Sequence, residues 1–507
     1  MSTERLTPDQ LKTTGALYDY FIEDWLFYDK AFKAGKIFIE EVIFQHPSET
    51  DNNYAIRLKE AFNFPYCQNI VSIYNYFLTE KEAIREIDPE IAERKDWKAF
   101  QKNCDFYGTN FDFFINDTQR LAGIYGTAGV LIDMQSGDFS EEDDEYAYLS
   151  AFTPNNILDW TFERDFKTRR PVLTYLKLRE DANNYLIWTP KKWDRYKIGS
   201  RKKTQDEIQQ ERLNGTYNNE DYTEVVVDYS SGVNRLNEVP FVFLPNIRSA
   251  EYFYLGTSDI VDASLVNGAI ARVLSMGNEV MKLAGFPMLL YPYESENQYI
   301  ESNASEEVIV SEDSILQFDP DAKNGKPAWL ESPVEASIDA ILKWIDRLAE
   351  EMYRAVNLAG LHQNRDKAQT KSGTYLRYQF QQTNSVLSKK ADTLVEAEER
   401  IYYFWGLWQN IKNINEKISV QRVKHFSIDA MQVELQNMVD SMEAVLSDTY
   451  KNKMQTRIAK QTYPDLTETE LKAINDEVGI ELAKNDKILT DAYGRLIETE
   501  PSSEGGG

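Results

Sequence analysis

The chain has 507 residues, 42% of them hydrophobic and 13% aromatic, which is ample for buried cores and too long for a single one; the length prior is about three domains. Lys+Arg total 56 against Asp+Glu 83, a formal net charge of -27, which excludes a protein that wraps nucleic acid by neutralising phosphates. Cys67 and Cys104 form no CxxC, and His46, His362 and His425 stand far apart, so the pattern fits a reducing compartment and gives neither a disulfide framework nor zinc spacing.

The first residues, MSTERLTPDQLK, lack the apolar core of a signal peptide. No apolar run approaches the roughly 18 residues of a membrane helix. Residues 1–120 read as mostly helical. Leu17–Lys33 is aromatic-rich, Tyr54–Leu78 carries apolar residues at helical spacing, and Trp97–Leu121 continues the pattern. Lys36–Phe44 (KIFIEEVIF) fits a strand or a short helix.

From Gly129 to Leu244 the period changes to two. The expected strands are Val130–Met134, Val172–Arg179, Tyr185–Trp188, Glu224–Tyr229 and Pro240–Leu244. The acidic cluster Glu141–Glu145 reads as a solvated loop, with a cation site as the lesser alternative. Lys191–Glu224 reads as one long polar loop.

Residues 256–284 form a helix, with Thr257 or Ser258 as N-cap, Asp259 and Asp262 in the positive first turn, and Gly285 with Pro287 as the stop. Pro287–Pro333 mixes strand and loop through PMLLYPY, EEVIV, SILQF and the turn DAKNGKP. A second helix, Val334–Val356, places Val334, Ile338, Ile341, Ile345, Leu348, Met352 and Val356 in a packed seam. Glu335, Asp339, Asp346 and Glu350 form an acidic stripe on another face, the plainest reading of which is one wet side. Gly360–Gly373 is a polar loop holding the basic residues Arg365, Lys367 and Lys371. A third helix from Thr374 to at least Trp405 spans roughly 45–50 Å. Ile418–Ile428 (ISVQRVKHFSI) is strand-like, Asp429–Leu489 is helical, and PSSEGGG is a loose end.

The stretch LAGIYGTAGVLIDM, Leu121–Met134, spaces Gly123, Gly126 and Gly129 equally. A phosphate loop follows a strand and opens a helix, whose bare N–H groups hold the anion. Here the helix comes first and the strand last, and no Lys follows Gly129. The spacing therefore predicts a helix C-cap and a close-packed entry into a strand. No G-x-S-x-G, H-E-x-x-H or Cys–His pairing is present, so no catalytic residue, metal or cofactor is expected. Two other readings stay open: an acidic hydrolase using a Glu/Asp pair, and a helical scaffold or adaptor protein.

In order, the segments resemble the portal (head–tail connector) proteins of tailed bacteriophages. The resemblance is carried by YAIRLKEAFNFPYCQNIVSIYNYFL (Tyr54–Leu78), LAGIYGTAGVLIDM, SAFTPNNILDWTFERDFKTRRPVLTYLKLRE (Ser150–Glu180), EVPFVFLPNIRSAEYFYLGTSDIVDASLVNGAIARVLSMGNEVMKLAGFPMLL (Glu238–Leu290) and KSGTYLRYQFQQ (Lys371–Gln382). It implies an α+β, mainly helical fold. Its parts would be a wing (1–255), a stem helix (256–286), a β-containing clip (287–333), a second stem helix (334–357) and a tunnel loop (358–373). A long channel helix returning to the wing (374–430) and a helical crown with its tail (431–507) would follow.

It further implies a non-enzymatic ring, typically of twelve copies, at a capsid vertex of the virion, assembled in the host cytoplasm. The implied partners are the major capsid protein, the terminase large subunit, head–tail adaptor or neck proteins, and double-stranded DNA passing non-specifically, with no membrane. Arg365, Lys367 and Lys371 would face the DNA. Glu335, Asp339, Asp346 and Glu350 would line the channel.

Overall fold

The computed structural model describes residues 5–134, 147–166, 169–214, 222–285, 288–292, 315–318, 328–330, 334–358 and 373–424. Arg365, Lys367 and Lys371, the acidic cluster 141–145, EEVIV and the expected crown lie outside the described residues, as does the side chain of Glu335. Within them, helix and antiparallel sheet share the chain, an α+β arrangement.

The helical layer comes first: α1 (Pro8–Lys12), α2 (Ala16–Lys33), α3 (Gly35–Val42), α4 (Asp51–Glu60), α5 (Tyr66–Thr79), α6 (Pro89–Ala92), α7 (Lys95–Lys102) and α8 (Phe111–Tyr125). The ambiguous KIFIEEVIF stretch is helical, because Phe38, Ile39 and Val42 fall on one buried helical face. Tyr54–Leu78 is shared between α4 and α5. Pro65 stands as the N-cap of α5; it offers no N–H and pushes the residue before it out of the helical region.

Two sheets follow. The strands are β1 (Ile84–Ile87), which lies within the helical layer, then β2 (Thr127–Met134), β3 (Ala147–Phe152), β4 (Ile157–Asp165), β5 (Arg170–Arg179), β6 (Asn184–Trp188), β7 (Lys192–Lys202), β8 (Tyr222–Val233) and β9 (Phe241–Pro245). One sheet runs β3-β2-β9, and β4-β5-β6-β7-β8 form a five-stranded antiparallel meander. Lys191–Glu224 is therefore not a long loop: it contains β7 and the helix α9 (Gln205–Leu213). The core face of β7 carries Asp194 beside Tyr196 and Ile198. Buried Asp194 is satisfied by Lys192 at 2.7 Å and by the Tyr229 hydroxyl at 2.8 Å, so a polar residue interrupts the alternation without interrupting the strand.

The remaining elements are α10 (Val261–Gly285), β10 (Met288–Pro292), β11 (Ile315–Phe318), β12 (Ala328–Leu330), α11 (Val334–Ala355), α12 (Gly373–Trp408), α13 (Ile414–Lys417) and β13 (Ile418–Gln421). The helix expected over 256–284 begins at Val261. β10 is the central strand of a small sheet, parallel to β11 and antiparallel to β12. α10 and α11 pack side by side, with Ile341 facing Gly277. Ile345, Met352 and Val356 of the expected seam are buried, with Ala349 and Tyr353 beside them. α12, at 36 residues, is about 54 Å long. β13 then pairs antiparallel with β1 and brings the chain back to the helical layer.

Candidate functional site

The structure gathers its least ordinary chemistry where α8, β9, α10, α5 and α12 meet. α8 ends at Gly126, whose φ of 87° is the left-handed C-cap and whose N–H reaches the Ala122 carbonyl at 2.7 Å. A Cβ at Gly126 would collide with the Gly256 carbonyl and the Ser258 nitrogen. One at Gly123 would lie 2.9 Å from Asp259 Oδ2. Gly123 and Gly126 thus let the segment before α10 lie directly on the α8–β2 corner, and Gly129 makes room for Phe241 and Ile157, a packing role and not a phosphate cradle.

Ser258 and Asp259 do not act as helix caps in the way their position before an apolar run suggests. Ser258 Oγ donates to the Ile124 carbonyl at 2.5 Å and accepts from Ile260 N–H at 3.1 Å. Asp259 is buried. Its N–H donates to the Gly123 carbonyl at 2.9 Å, and its carboxylate takes Asn246 Nδ2 at 2.8 Å and Lys390 Nζ at 2.5 Å. Lys390 has no exposed surface and its ammonium sits 3.9 Å from the centre of the Tyr74 ring. Burial lowers the Lys390 pKa, against the pull of Asp259. The Tyr74 hydroxyl donates to the Val356 carbonyl, and the Thr383 hydroxyl donates to the Asn357 carbonyl.

This joint therefore ties the start of α10, the end of α11 and the middle of α12 to the helical layer. Lys390 and Asn246 were not singled out by sequence reasoning. The signal for Lys390 is a lysine falling between Leu387 and Leu394 on the apolar face of α12, where a solvated charge has no place. A second buried ionic group lies further along α12. Glu398 takes Arg85 Nη2 at 3.1 Å and Arg422 Nε at 2.8 Å, and Arg85 also reaches Asp112 at 2.7 Å. It clamps β1 and β13 to α12.

On α11, Asp339, Asp346 and Glu350 fall within one sector of the helix by their spacing. The stripe is bordered by a basic ridge. Lys343 pairs with Asp339 at 2.6 Å, Arg347 lies 3.8 Å from Glu350 and 2.5 Å from Glu351, and Arg354 meets Glu351 at 3.1 Å. Trp344, 54% exposed, lies past the ridge, and Leu342, 56% exposed, opens beside the seam on the other side of the stripe. Met276 and Met281 on α10 are likewise half open to solvent.

Among the described residues no three His, Cys, Asp or Glu side chains are placed to hold a metal, and no helix is long and apolar enough to cross a membrane. Cys67 and Cys104 are both buried, and burial pushes each thiol up to about 12, which keeps them unreactive.

No protein-family model and no curated protein matches the sequence. Solved structures do. A chain of the neck of the empty GTA particle aligns with 78% of this chain and 90% of its own length, at 8% identity and a TM-score of 0.42. A chain of the virion of the native gene transfer agent (GTA) particle aligns over 83% and 98%, at 8% identity and 0.41. One from the neck of the native GTA particle, computed with C12 symmetry, aligns over 77% and 89%, at 7% identity and 0.40.

Proposed function

We propose that this chain is a portal-type, head–tail connector subunit of a tailed-phage-like particle. It forms a closed ring, of twelve copies, at one capsid vertex of the virion, and double-stranded DNA passes through the axial channel during packaging and ejection. The observation that carries this reading is the α10–α11 hairpin. Two helices are joined through a three-stranded sheet, rooted with the long α12 in one buried joint, and open to solvent at Met276, Met281, Leu342 and Trp344. A helix pair that leaves such residues bare on a chain of this size calls for a neighbour. A ring built head to tail supplies one to every copy.

In this reading α10 and α11 are the stem, 287–333 the clip that meets the terminase large subunit and later the neck adaptor, and the rest of 1–255 the wing that meets the major capsid protein. Assembly takes place in the host cytoplasm. Glu335, Asp339, Asp346 and Glu350 line the lumen, where negative charge repels phosphates and lets DNA slide. Arg365, Lys367 and Lys371 in the tunnel loop touch phosphates briefly as DNA moves. The subunit performs no chemistry of its own.

Light scattering and particle imaging of the purified chain test the reading. Ring-shaped particles of many times the subunit mass are expected; a species of single-chain mass at every concentration would overturn it. Removal of residues 361–372 should leave the rings intact while DNA packaging or retention fails.

A further inference from the structure

The start of α10 and the end of α11 meet at one joint, so the two helices run antiparallel, and Ile341 faces Gly277 where they touch. One residue back along α10 from that level is Met276, and one residue on along α11 is Leu342. Five residues back is Arg272, and five residues on is Asp346. In an antiparallel pair, equal counts in opposite senses reach equal heights. Arg272 therefore stands level with Asp346, and Met276 with Leu342, and all four are exposed. Five residues turn a helix about 140° past a full turn. Arg272 and Asp346 thus point away from the contact between the two helices, from opposite edges of the pair, and do not meet within the chain.

The α10 edge is basic and apolar. Arg272 donates to the Val42 carbonyl at 3.3 Å, and its guanidinium lies 5.9 Å from the centre of the Phe44 ring. It makes no ion pair with any described residue. A guanidinium carries five donors, so most of this one faces solvent without a protein acceptor. Leu265, seven residues before Arg272, and Met276, four after it, share its face of the helix. Leu265 is 62% exposed and Phe44 is 65% exposed, which leaves a bare apolar strip around the charge.

The α11 edge is acidic and apolar. Asp346 is exposed and makes no ion pair with any described residue, whereas Asp339 on the same stripe already holds Lys343 at 2.6 Å. Leu342, four residues before Asp346, stands on the same side of the helix. Each edge thus sets one unmatched charge beside bare apolar side chains, and the two charges have opposite sign.

We propose that Arg272 of one copy pairs with Asp346 of the next, with Leu342 closing on the apolar edge of Leu265, Met276 and Phe44. Equal height selects a second copy as the occupant. A closed ring is generated by rotation alone, with no rise along its axis. Residues that meet across its seam therefore stand at one level when the helix pair runs along that axis, as a stem does. Pairing either edge with its own copy would set Arg272 on Arg272 or Asp346 on Asp346, so like charge opposes a two-fold dimer and opposite charge favours the head-to-tail neighbour. The contact rests on the ring reading given above and names the seam that closes it. Asp346 then borders the lumen where two copies meet.

The test uses the full chain carrying Arg272→Glu, Asp346→Arg, or both, with assembly followed by sedimentation. Each single variant should raise the protein concentration needed for rings about tenfold, and the charge-swapped double variant should return it to within about threefold of wild type. The unfolding midpoint of the dissociated chain should stay in place in all three, since neither side chain has an ionic partner among the described residues of its own chain. Wild-type rings with both single variants assembling normally would overturn the pairing and leave the ring reading standing. Single variants that fail, with no recovery in the double variant, would overturn it as well. An Arg272→Glu variant that keeps its rings but loses affinity for duplex DNA would overturn it in favour of a nucleic-acid contact. Wild-type protein that never forms rings would instead sink the ring reading itself.

Discussion

Along α10 the first half buries Ala263, Asn267, Ile270 and Ala271, whereas further along Met276 and Met281 stand open to solvent. The same contrast separates the two ends of α11: Met352, Tyr353 and Val356 are buried near the joint, while Leu342 and Trp344 are bare. At the joint Asp259, Lys390, Asn246, Tyr74 and Thr383 all find partners within the same chain. Along the hairpin, burial is left unfinished. A change near the joint should therefore act on the stability of the single chain, and a change in the hairpin on its association.

The largest expected effect comes from Lys390→Ala. It strands Asp259 in the core without its cation and should cost about 3–5 kcal/mol in denaturant unfolding, independent of protein concentration. Adding Asp259→Asn should recover part of that loss; a double variant as unstable as the sum of the two singles would show that the pair is not coupled. Gly126→Ala comes next. It places a Cβ at a left-handed φ and against the Gly256 carbonyl, and should cost about 2 kcal/mol, read as a lowered unfolding midpoint.

Trp344→Glu should sharpen the contrast from the other side. The side chain is half exposed, so the midpoint of the dissociated chain should move by about 0.5 kcal/mol or less. Ring assembly, followed by sedimentation, should fail. A stability loss as large as that of Gly126→Ala would erase the distinction between joint and hairpin.

The smallest effect is a pH dependence. The Arg57 guanidinium beside Glu49, at 2.7 Å, holds that carboxyl below its usual value of 4.5. Its folded pKa is lowered, so the stability it adds is present above the unfolded value and is lost as pH falls through the folded one. Glu49→Gln should therefore flatten the acid limb of the stability curve slightly and leave neutral-pH assembly untouched.

Much of this layout is legible in the sequence because the relevant elements are long and periodic. α10, α11 and α12 announce themselves by apolar spacing, and the glycines of LAGIYGTAGVLIDM by the order of the elements around them. β9 is read nearly whole and β2 from Val130 onward, because each carries an apolar run. β7 is hidden by the buried Asp194. β3 and β4 are passed over because β3 is short and alanine-rich, and β4 alternates only near its start. The joint is the least legible part. Lysine and aspartate are surface residues by habit, and only tertiary contact between residues 131 positions apart turns Lys390 and Asp259 into a core pair. The acidic stripe was readable as a pattern, but the basic ridge that borders it takes its meaning from side-chain geometry.

Both ends of the α10–α11 segment are fastened at one place: Asp259 holds Lys390, which lies on the Tyr74 ring, and the hydroxyl of that tyrosine holds Val356. Between those ties α10 keeps to the helical layer, through Arg57 on Ser275, Arg272 on the Val42 carbonyl and Lys282 on Glu60. The root of the helix pair is thus a broad seat and not a hinge, so strain there is shared between α12 and the helical layer.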